Sequence, residues 1–361
     1  MSALPQVAAR HDDIALVLLG TGVVGSALLR LLGTPSALGV RLVGVANSTR
    51  QHADAQGFAA EASTRLLGDA SPRRDDDALL AALDASGAAR RVIVDATASA
   101  DTACRHAAWL AAGYDVVTAN KAASAGAATT WSALRNVNLR GVATYGDAAT
   151  VGAGLPVLST LRRLHGCGDR LIALEGVFSG SLSWLFNHYD GSRPFSALLR
   201  EARAWGYCEP DPRADLGGLD AARKLVILAR AAGHAIELDD VAVENLVPRP
   251  LVDVDVDAFL ARIEELDAPF EARRADAAAR GFVLRHIGSL DADGRASIGL
   301  VEVSAQHPAA RLDGTDNLFA LTTQRYRARP LVIQGPGAGP EVTAQALLGD
   351  VLALRGLRSA V

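Results

Sequence analysis

The sequence predicts an α/β protein of two domains, and three observations carry that prediction. An apolar run, Ile14–Leu19, leads directly into a glycine turn and an apolar helix. Strand-like and helix-like segments then alternate to about residue 120, the order of repeated βαβ units. After Tyr145 the alternation stops, and the rest of the chain mixes helices with longer strands. The length of 361 residues, 50% hydrophobic and 21% charged, suits two or three domains at roughly 100–200 residues each.

Residues 1–12 read as a loose arm. IALVLL at 14–19 is continuously apolar, as a strand buried on both faces of a parallel sheet must be. It runs into Gly20-Thr21-Gly22-Val23-Val24-Gly25 and the helix SALLRLL. Glycines there permit a tight turn and close backbone approach, and the first N–H groups of the helix are left to hold a pyrophosphate. A lone G-x-G-x-x-G is a weak signal, but its place between a buried strand and a helix makes this a Rossmann dinucleotide-binding signature. A second strand, RLVGVAN, ends at Asn47, a third is RVIVDAT at 91–97, and a fourth is DVVTAN at 115–120, with helical segments between them, including 102–112.

Beyond Tyr145, Gly152-Ala153-Gly154-Leu155-Pro156 opens a helix at 157–164, followed by a strand-like LIALEGVFSG, helices at 195–205 and 219–232, and β-rich segments at 283–287 and 296–303. This is an α+β domain. Gly335-Pro336-Gly337-Ala338-Gly339 then leads into VTAQALLGDVLAL, whose apolar period suits a core helix returning to cover the first domain. The expected boundaries are 13–148, with 336–361 returning, and 149–335. Asp253, Asp255 and Asp257 read as a solvated strand face or turn rather than a metal site.

Composition excludes several function classes. With 36 basic and 40 acidic residues the net charge is −4, which gives no electropositive surface for nucleic acid. No apolar run approaches the roughly 20 residues that span a bilayer, and Asp12 and Asp13 precede the first apolar segment, so neither a membrane span nor a signal peptide is read. Cys104, Cys167 and Cys208 are odd in number and lack C-x-x-C spacing, which suggests no disulfide framework or zinc cage and makes the cytoplasm the simplest compartment.

Of the 36 basic residues, only Lys121 and Lys224 are lysine. Where a generic positive charge suffices, this chain uses arginine. A guanidinium cannot release a proton in a protein, whereas a lysine ammonium is a compact point charge that serves as an acid–base group. Lys121 ends the fourth strand, at the ligand-binding edge of an open parallel sheet. Lys224 follows Asp220 by four residues on a mostly apolar helix, so the two share a face. The plainer reading of that pair is an exposed ion pair worth about 0.2–0.5 kcal/mol. Just before it, Gly206-Tyr207-Cys208-Glu209-Pro210-Asp211-Pro212-Arg213-Ala214-Asp215 sets three carboxylates in a proline-stiffened loop. At the end of the second strand stands Asn47 rather than an acid, so nothing repels a ribose 2′-phosphate. Arg50 either pairs with that phosphate, which favours NADP over NAD, or is an ordinary loop residue.

Read together, GTGVVG, Ala119-Asn120-Lys121, TVGAGLP at 150–156, SGSLS at 179–183, GYCEPDPRADL, LDAARK at 219–224 and GPGAG followed by VTA resemble homoserine dehydrogenase, in order from about residue 13 to 358. The likeness is greatest to the dehydrogenase half of bifunctional aspartate kinase–homoserine dehydrogenases. The resemblance implies reversible hydride transfer between a nicotinamide and the γ-carbon of homoserine, running physiologically as reduction of aspartate 4-semialdehyde in threonine, methionine and isoleucine biosynthesis. It assigns Glu209 and Asp220, with Asp215 beside them, to the substrate and its ammonium, and Lys121 and Lys224 to the reacting oxygen. It implies cofactor contacts at Thr97, Gly206 and Gly337, which join those expected at Gly20, Gly22, Val23, Val24, Gly25, Asn47, Arg50, Lys121 and Glu209. It also implies a sodium or other monovalent cation on backbone carbonyls of Val151, Ala153 and Leu155, although Gly146-Asp147-Ala148 departs from the usual lead-in and leaves the fourth ligand open. The second domain would be catalytic and would pair sheets across a two-fold axis, making a homodimer. The chain ends at Val361, where no kinase or threonine-sensing ACT module is expected.

The histidines are dispersed singly, so zinc is not read as the carbonyl polariser and the lysines take that work. Lys224 as acid–base group and Lys121 as alkoxide stabiliser is one division, and the reverse is the other. Two different readings stay open: a semialdehyde dehydrogenase using Cys104 or Cys208 as nucleophile, and a non-catalytic dinucleotide sensor.

Overall fold

A computed structural model describes residues 13–68 and 71–355, so the amino-terminal arm and the last residues of the returning segment lie outside the described residues. The chain divides into two units, one running to Thr150 and resuming at Gly339, the other Val151–Ala338.

The first unit is built on a sheet in the order β3-β2-β1-β4-β5-β6, formed by β1 (Ile14–Leu19), β2 (Val40–Ala46), β3 (Gln51–Ala53), β4 (Arg90–Asp95), β5 (Asp115–Thr118) and β6 (Tyr145–Gly146). All pairings are parallel except the short edge strand β3, which lies antiparallel to β2 and has too few residues to show a sequence period. Every residue of β1 is buried, which explains its unbroken apolar run. Ile14, Leu16 and Leu18 face the helix Val23–Leu32 and the closing helix Pro340–Ala353, while Ala15, Val17 and Leu19 face Leu79, Leu83, Trp109 and Leu134. The closing helix buries Leu347, Leu348 and Val351 in this core, and each such side chain contributes about 1.5–3 kcal/mol. That suffices to hold a helix whose sequence neighbours belong to the other unit.

Two strands are shorter than the sequence suggests. Ala96-Thr97 and Ala119-Asn120 have strand-like composition but form turns, and the expected helix at 102–112 breaks at Arg105 into Ala100–Cys104 and His106–Ala111.

The second unit carries β7 (Leu171–Val177), β8 (Val241–Val243), β9 (Phe282–Asp291), β10 (Ala296–Ser304), β11 (Asp316–Thr323) and β12 (Leu331–Pro336), in the order β12-β11-β7-β9-β10-β8. Neighbours are antiparallel except β10 and β8. Leu284 and Leu300 join an apolar layer with the helices Gly180–His188, Phe195–Ala204 and Asp267–Ala279, and Val177, Ile287 and Val303 form a second cluster. Asp253 lies in a bend and Asp255 accepts from the Ala258 N–H to cap the helix Val256–Ala261, so of the two expectations the acidic alternation marks a turn, leading into a helix, and not a strand face.

Candidate active site

In the first unit the candidate residues gather at the carboxyl edge of the parallel sheet. Gly20 adopts φ +96°, and a Cβ on Gly25 would lie 1.9 Å from the Gly20 carbonyl oxygen, so both must be glycine for turn and helix to meet. Gly22 begins the helix Val23–Leu32 without a side-chain cap, a Cβ there would meet nothing, and Val23 is 75% exposed. An uncapped, open helix start fits a pyrophosphate. Asn47 Oδ1 accepts from the backbone N–H of Thr49 (2.8 Å) and of Arg50 (2.7 Å), fixing the turn that follows β2. The Arg50 guanidinium donates to the Ser71 carbonyl (2.8 Å), and a β-bridge sets Arg50 beside Arg73. Arg50 is thus held in place by the backbone and has a second cation as its neighbour.

Thr97 lies in the turn after β4, and Lys121 is the first residue of the helix Lys121–Ala125, capped by Asn120 through a bond from the Ala122 N–H to its Oδ1 (3.0 Å). A buried carboxylate that sequence reading did not single out, Asp95, holds both turns. Its Oδ1 accepts from the Thr97 N–H (2.8 Å), and its Oδ2 accepts from Asn120 Nδ2 (2.9 Å) and lies 3.0 Å from His106 Nε2.

In the second unit three chain segments converge. β7 runs into Phe178 and then Ser179, which caps the helix Gly180–His188 by accepting from the Leu182 N–H. The loop after Gly206, itself at φ +74°, leads to the short helix Arg213–Leu216 and then to Leu219–Ala231. Lys224 Nζ lies 2.7 Å from Asp220 Oδ2 and donates to the Phe178 carbonyl, also at 2.7 Å. The lysine side chain is 12% exposed and the aspartate 51%, so this is not the surface pair that i,i+4 spacing alone suggests. An ammonium has three N–H donors, and the two contacts leave one for a ligand.

Asp215 accepts from Ser181 Oγ (2.6 Å) and from the Glu209 N–H (2.8 Å). Burial raises its pKa against those two bonds, with the Asp220 charge adding and the Lys224 charge opposing. Glu209 is exposed, and Asp211 is taken up by Arg213, which also donates to the Val252 and Val254 carbonyls. Of the loop's three acids, one therefore stiffens the loop, one lies half-buried behind it, and one faces solvent. Ser181 was not anticipated, although the run Ser179-Gly180-Ser181 is a signal for hydroxyls at a helix start. Burial, helped by Asp215 and Glu209, pushes the Cys208 thiol up to about 12, which makes it a poor nucleophile.

The loop Val151–Leu155 contains Ala153 at φ +50°, the one non-glycine residue at positive φ among the described residues, next to Gly152 at φ +71°. Such strain is more often kept at functional sites than elsewhere. Gly337 is buried against Asn317, where a Cβ would lie 2.1 Å from Cγ. No group of three or more His, Cys, Asp or Glu suited to a metal ion occurs among the described residues, and no helix among them is long and apolar enough to cross a membrane.

Residues 156–352 match the homoserine dehydrogenase family, and residues 20–143 match the NAD-binding domain of homoserine dehydrogenase. The chain is 39% identical over 351 residues to the chloroplastic bifunctional aspartokinase/homoserine dehydrogenase 2 of Zea mays, an alignment covering 94% of this chain and 38% of the maize protein. It therefore spans about two fifths of that relative. It is 38% identical over 269 residues to the homoserine dehydrogenase of Schizosaccharomyces pombe, covering 72% of each. A crystal structure of a Candida auris protein of unknown function superimposes with a TM-score of 0.88 at 33% identity, over 95% of this chain and 98% of that one. The family match takes in most of the second unit, the NAD-binding match takes in the glycine turn and Lys121, and the maize relative aligns over 94% of the chain: it belongs to the homoserine dehydrogenase family.

Proposed function

We propose that this chain catalyses the reversible NAD(P)-dependent interconversion of L-homoserine and L-aspartate 4-semialdehyde, a step of amino-acid biosynthesis leading to threonine, methionine and isoleucine. The observation that carries the proposal is Lys224, held between Asp220 and the Phe178 carbonyl with one donor left over. An amino-acid alcohol requires a proton carrier at its oxygen and carboxylates at its ammonium, and the second unit offers both side by side. The nicotinamide, when bound, donates or accepts the hydride.

Lys224 gives its proton to the carbonyl oxygen of the semialdehyde, or takes it back from the alcohol, while the Phe178 carbonyl and Asp220 keep the ammonium fixed in orientation. Lys121 stabilises the developing alkoxide. Asp220 and the exposed Glu209 take the substrate ammonium, and Asp215, with both oxygens engaged, holds the Glu209 backbone and adds its charge to theirs. The uncapped helix start after Gly20 and Gly22 holds the pyrophosphate, with Val23, Val24, Gly25, Asn47 and Thr97 around the dinucleotide.

NADP is favoured over NAD, because Arg50 and Arg73 stand together where no acid opposes a 2′-phosphate. Arg50→Ala should weaken NADP more than NAD, and equal effects on the two would reject that assignment. The strained loop at Val151, Ala153 and Leu155 would present carbonyls to a monovalent cation. A homodimer forming through the second sheet is supported by Val283 and Val301, which leave 40% and 38% of their surface exposed on neighbouring strands. Light scattering that gives a monomer would reject it. The direct test of function is a spectrophotometric assay of homoserine oxidation with NADP and NAD in turn, and no turnover with either defeats the proposal.

A further inference from the structure

Asp95 closes β4 with no exposed surface, and His106 is equally buried. Burying a carboxylate is costly unless its lone pairs are met, and a strand end could carry an apolar residue instead. Here the carboxylate collects three donors from three segments: the Thr97 N–H, Asn120 Nδ2 and His106 Nε2. The Asp95 main-chain carbonyl accepts as well, from the Ala119 N–H (3.0 Å) and from Thr118 Oγ1 (3.1 Å). Asn120 in turn donates to the Ser99 carbonyl (2.8 Å), while its own oxygen caps the helix beginning at Lys121. On the far side of the imidazole, His106 Nδ1 lies 3.2 Å from the Tyr145 hydroxyl. One side chain thus ties the turn bearing Thr97 to the turn bearing Lys121. Both turns leave the sheet at its carboxyl edge, where the last backbone pairings are the Ala96 N–H to the Leu19 carbonyl and the Ala119 N–H to the Asp95 carbonyl, and beyond these side chains hold the chain.

We propose that Asp95 is a positioning residue for the redox site: it sets Lys121 and Thr97 at a fixed separation, and His106 orients its carboxylate. The proposal rests on the dehydrogenase reading above. Its consequence follows from donor geometry. A histidine ring can exchange donor and acceptor nitrogens, but the Thr97 N–H cannot accept, and neither can the Asn120 amino group. In Asp95→Asn the new amino group must face one or the other, so one of the two turns loses its bond to this side chain and is held less tightly, although the side chain keeps its shape.

The test is steady-state kinetics of Asp95→Asn with homoserine and NADP, alongside a thermal melt and an NADPH fluorescence titration. A misplacement of about 1 Å costs roughly 10²-fold, so kcat should fall by about 10- to 100-fold. The KM and Kd for the cofactor should rise several-fold, and the homoserine KM should stay within about twofold, because the carboxylates assigned to its ammonium are not held by Asp95, and Lys121 acts on the developing alkoxide. A folded variant with kcat and cofactor Kd both within about twofold of the parent overturns the proposal. Should that variant not fold, His106→Gln, which retains a donor towards the carboxylate, and His106→Leu, which does not, replace it. The leucine variant should lose about tenfold in kcat and the glutamine variant recover most of it, whereas equal activity in the two overturns the proposal. A parent protein that oxidises no homoserine defeats the dehydrogenase reading, and an NADPH affinity unchanged by Asp95→Asn would then still count against Asp95.

Discussion

Replacing Lys224 by methionine separates catalysis from stability, because the structure lets both effects be bounded. Methionine keeps the apolar stem and removes the ammonium, with its contacts to Asp220 and the Phe178 carbonyl. Asp220 is half exposed, so losing its partner costs about 0–1 kcal/mol. The bond to the Phe178 carbonyl is charge-assisted, and losing it costs at most about 1.5–3 kcal/mol, offset in part because methionine carries no charge to bury. Against a typical stability of about 5–15 kcal/mol the variant remains mostly folded, with at least about 1 kcal/mol in hand. Loss of a general acid–base group lowers kcat by about 10²–10⁴, equivalent to about 2.7–5.5 kcal/mol of transition-state stabilisation. A hundredfold fall in rate therefore cannot arise from unfolding. Initial rates at saturating homoserine and NADP, followed by nicotinamide absorbance together with a melt, read the two effects separately. Lys224→Arg should fail as well, since a planar fork cannot place a single donor between two oxygens each 2.7 Å from one nitrogen. A folded Lys224→Met enzyme with kcat within about threefold of the parent would refute the role of Lys224 in proton transfer.

Iodoacetamide at pH 8 should modify Cys104 and Cys167, which are exposed, and leave Cys208 and the activity intact; inactivation that tracks Cys208 labelling would revive a cysteine-nucleophile mechanism. Asn317 has both side-chain polar atoms buried without partners, a cost of about 1–3 kcal/mol per group, so Asn317→Leu should raise the melting temperature by several degrees. A lower melting temperature would show that the amide is satisfied in solution. His286 is buried and neutral, its pKa lowered by burial from 6.5 to about 4. The folded pKa is depressed, so its contribution to stability is complete above pH 6.5 and is lost as pH falls through about 4; at about 1.4 kcal/mol per pH unit this amounts to about 3 kcal/mol. His286→Phe should flatten the acid limb of stability against pH between those values, and an unchanged limb would assign it to other groups.

The features legible in the sequence were those written in a short stretch of chain. The run Ile14–Leu19 reads as a buried strand because all six residues are buried, and the glycine turn reads correctly because Gly20 and Gly25 meet within six residues. The Asp220–Lys224 pair is one helical turn long, and two lysines among 36 basic residues stand out by composition alone. What escaped depends on partners distant in sequence. Asp95 finds Asn120 after 25 residues, and Ser181 finds Asp215 after 34. Strand ends were overrun for the same reason: nothing local says that the side chains of Asp95 and Asn120 are committed to each other instead of to another strand residue.

The loop from Gly206 to Asp215 shows most clearly where sequence stops deciding. Glu209, Asp211 and Asp215 are chemically alike, and the prolines between them stiffen all three equally. Their division follows from donors. Arg213, two residues away, takes Asp211 by a local contact. Pro210 and Pro212 have no N–H to offer, and Asp215 accepts instead from the Glu209 N–H. The Glu209 backbone is pinned in this way by a second carboxylate, whose charge adds to that of the exposed Glu209 side chain. Asp215→Asn can accept from the Glu209 N–H with its oxygen and donate to Ser181 with its nitrogen, so the loop should survive the substitution. The lost charge would then appear in the homoserine KM, raised by about tenfold or more for one removed charged partner, with the NADP KM unchanged. If instead both constants rise together, Asp215 supports the loop's structure and its charge does not serve the substrate.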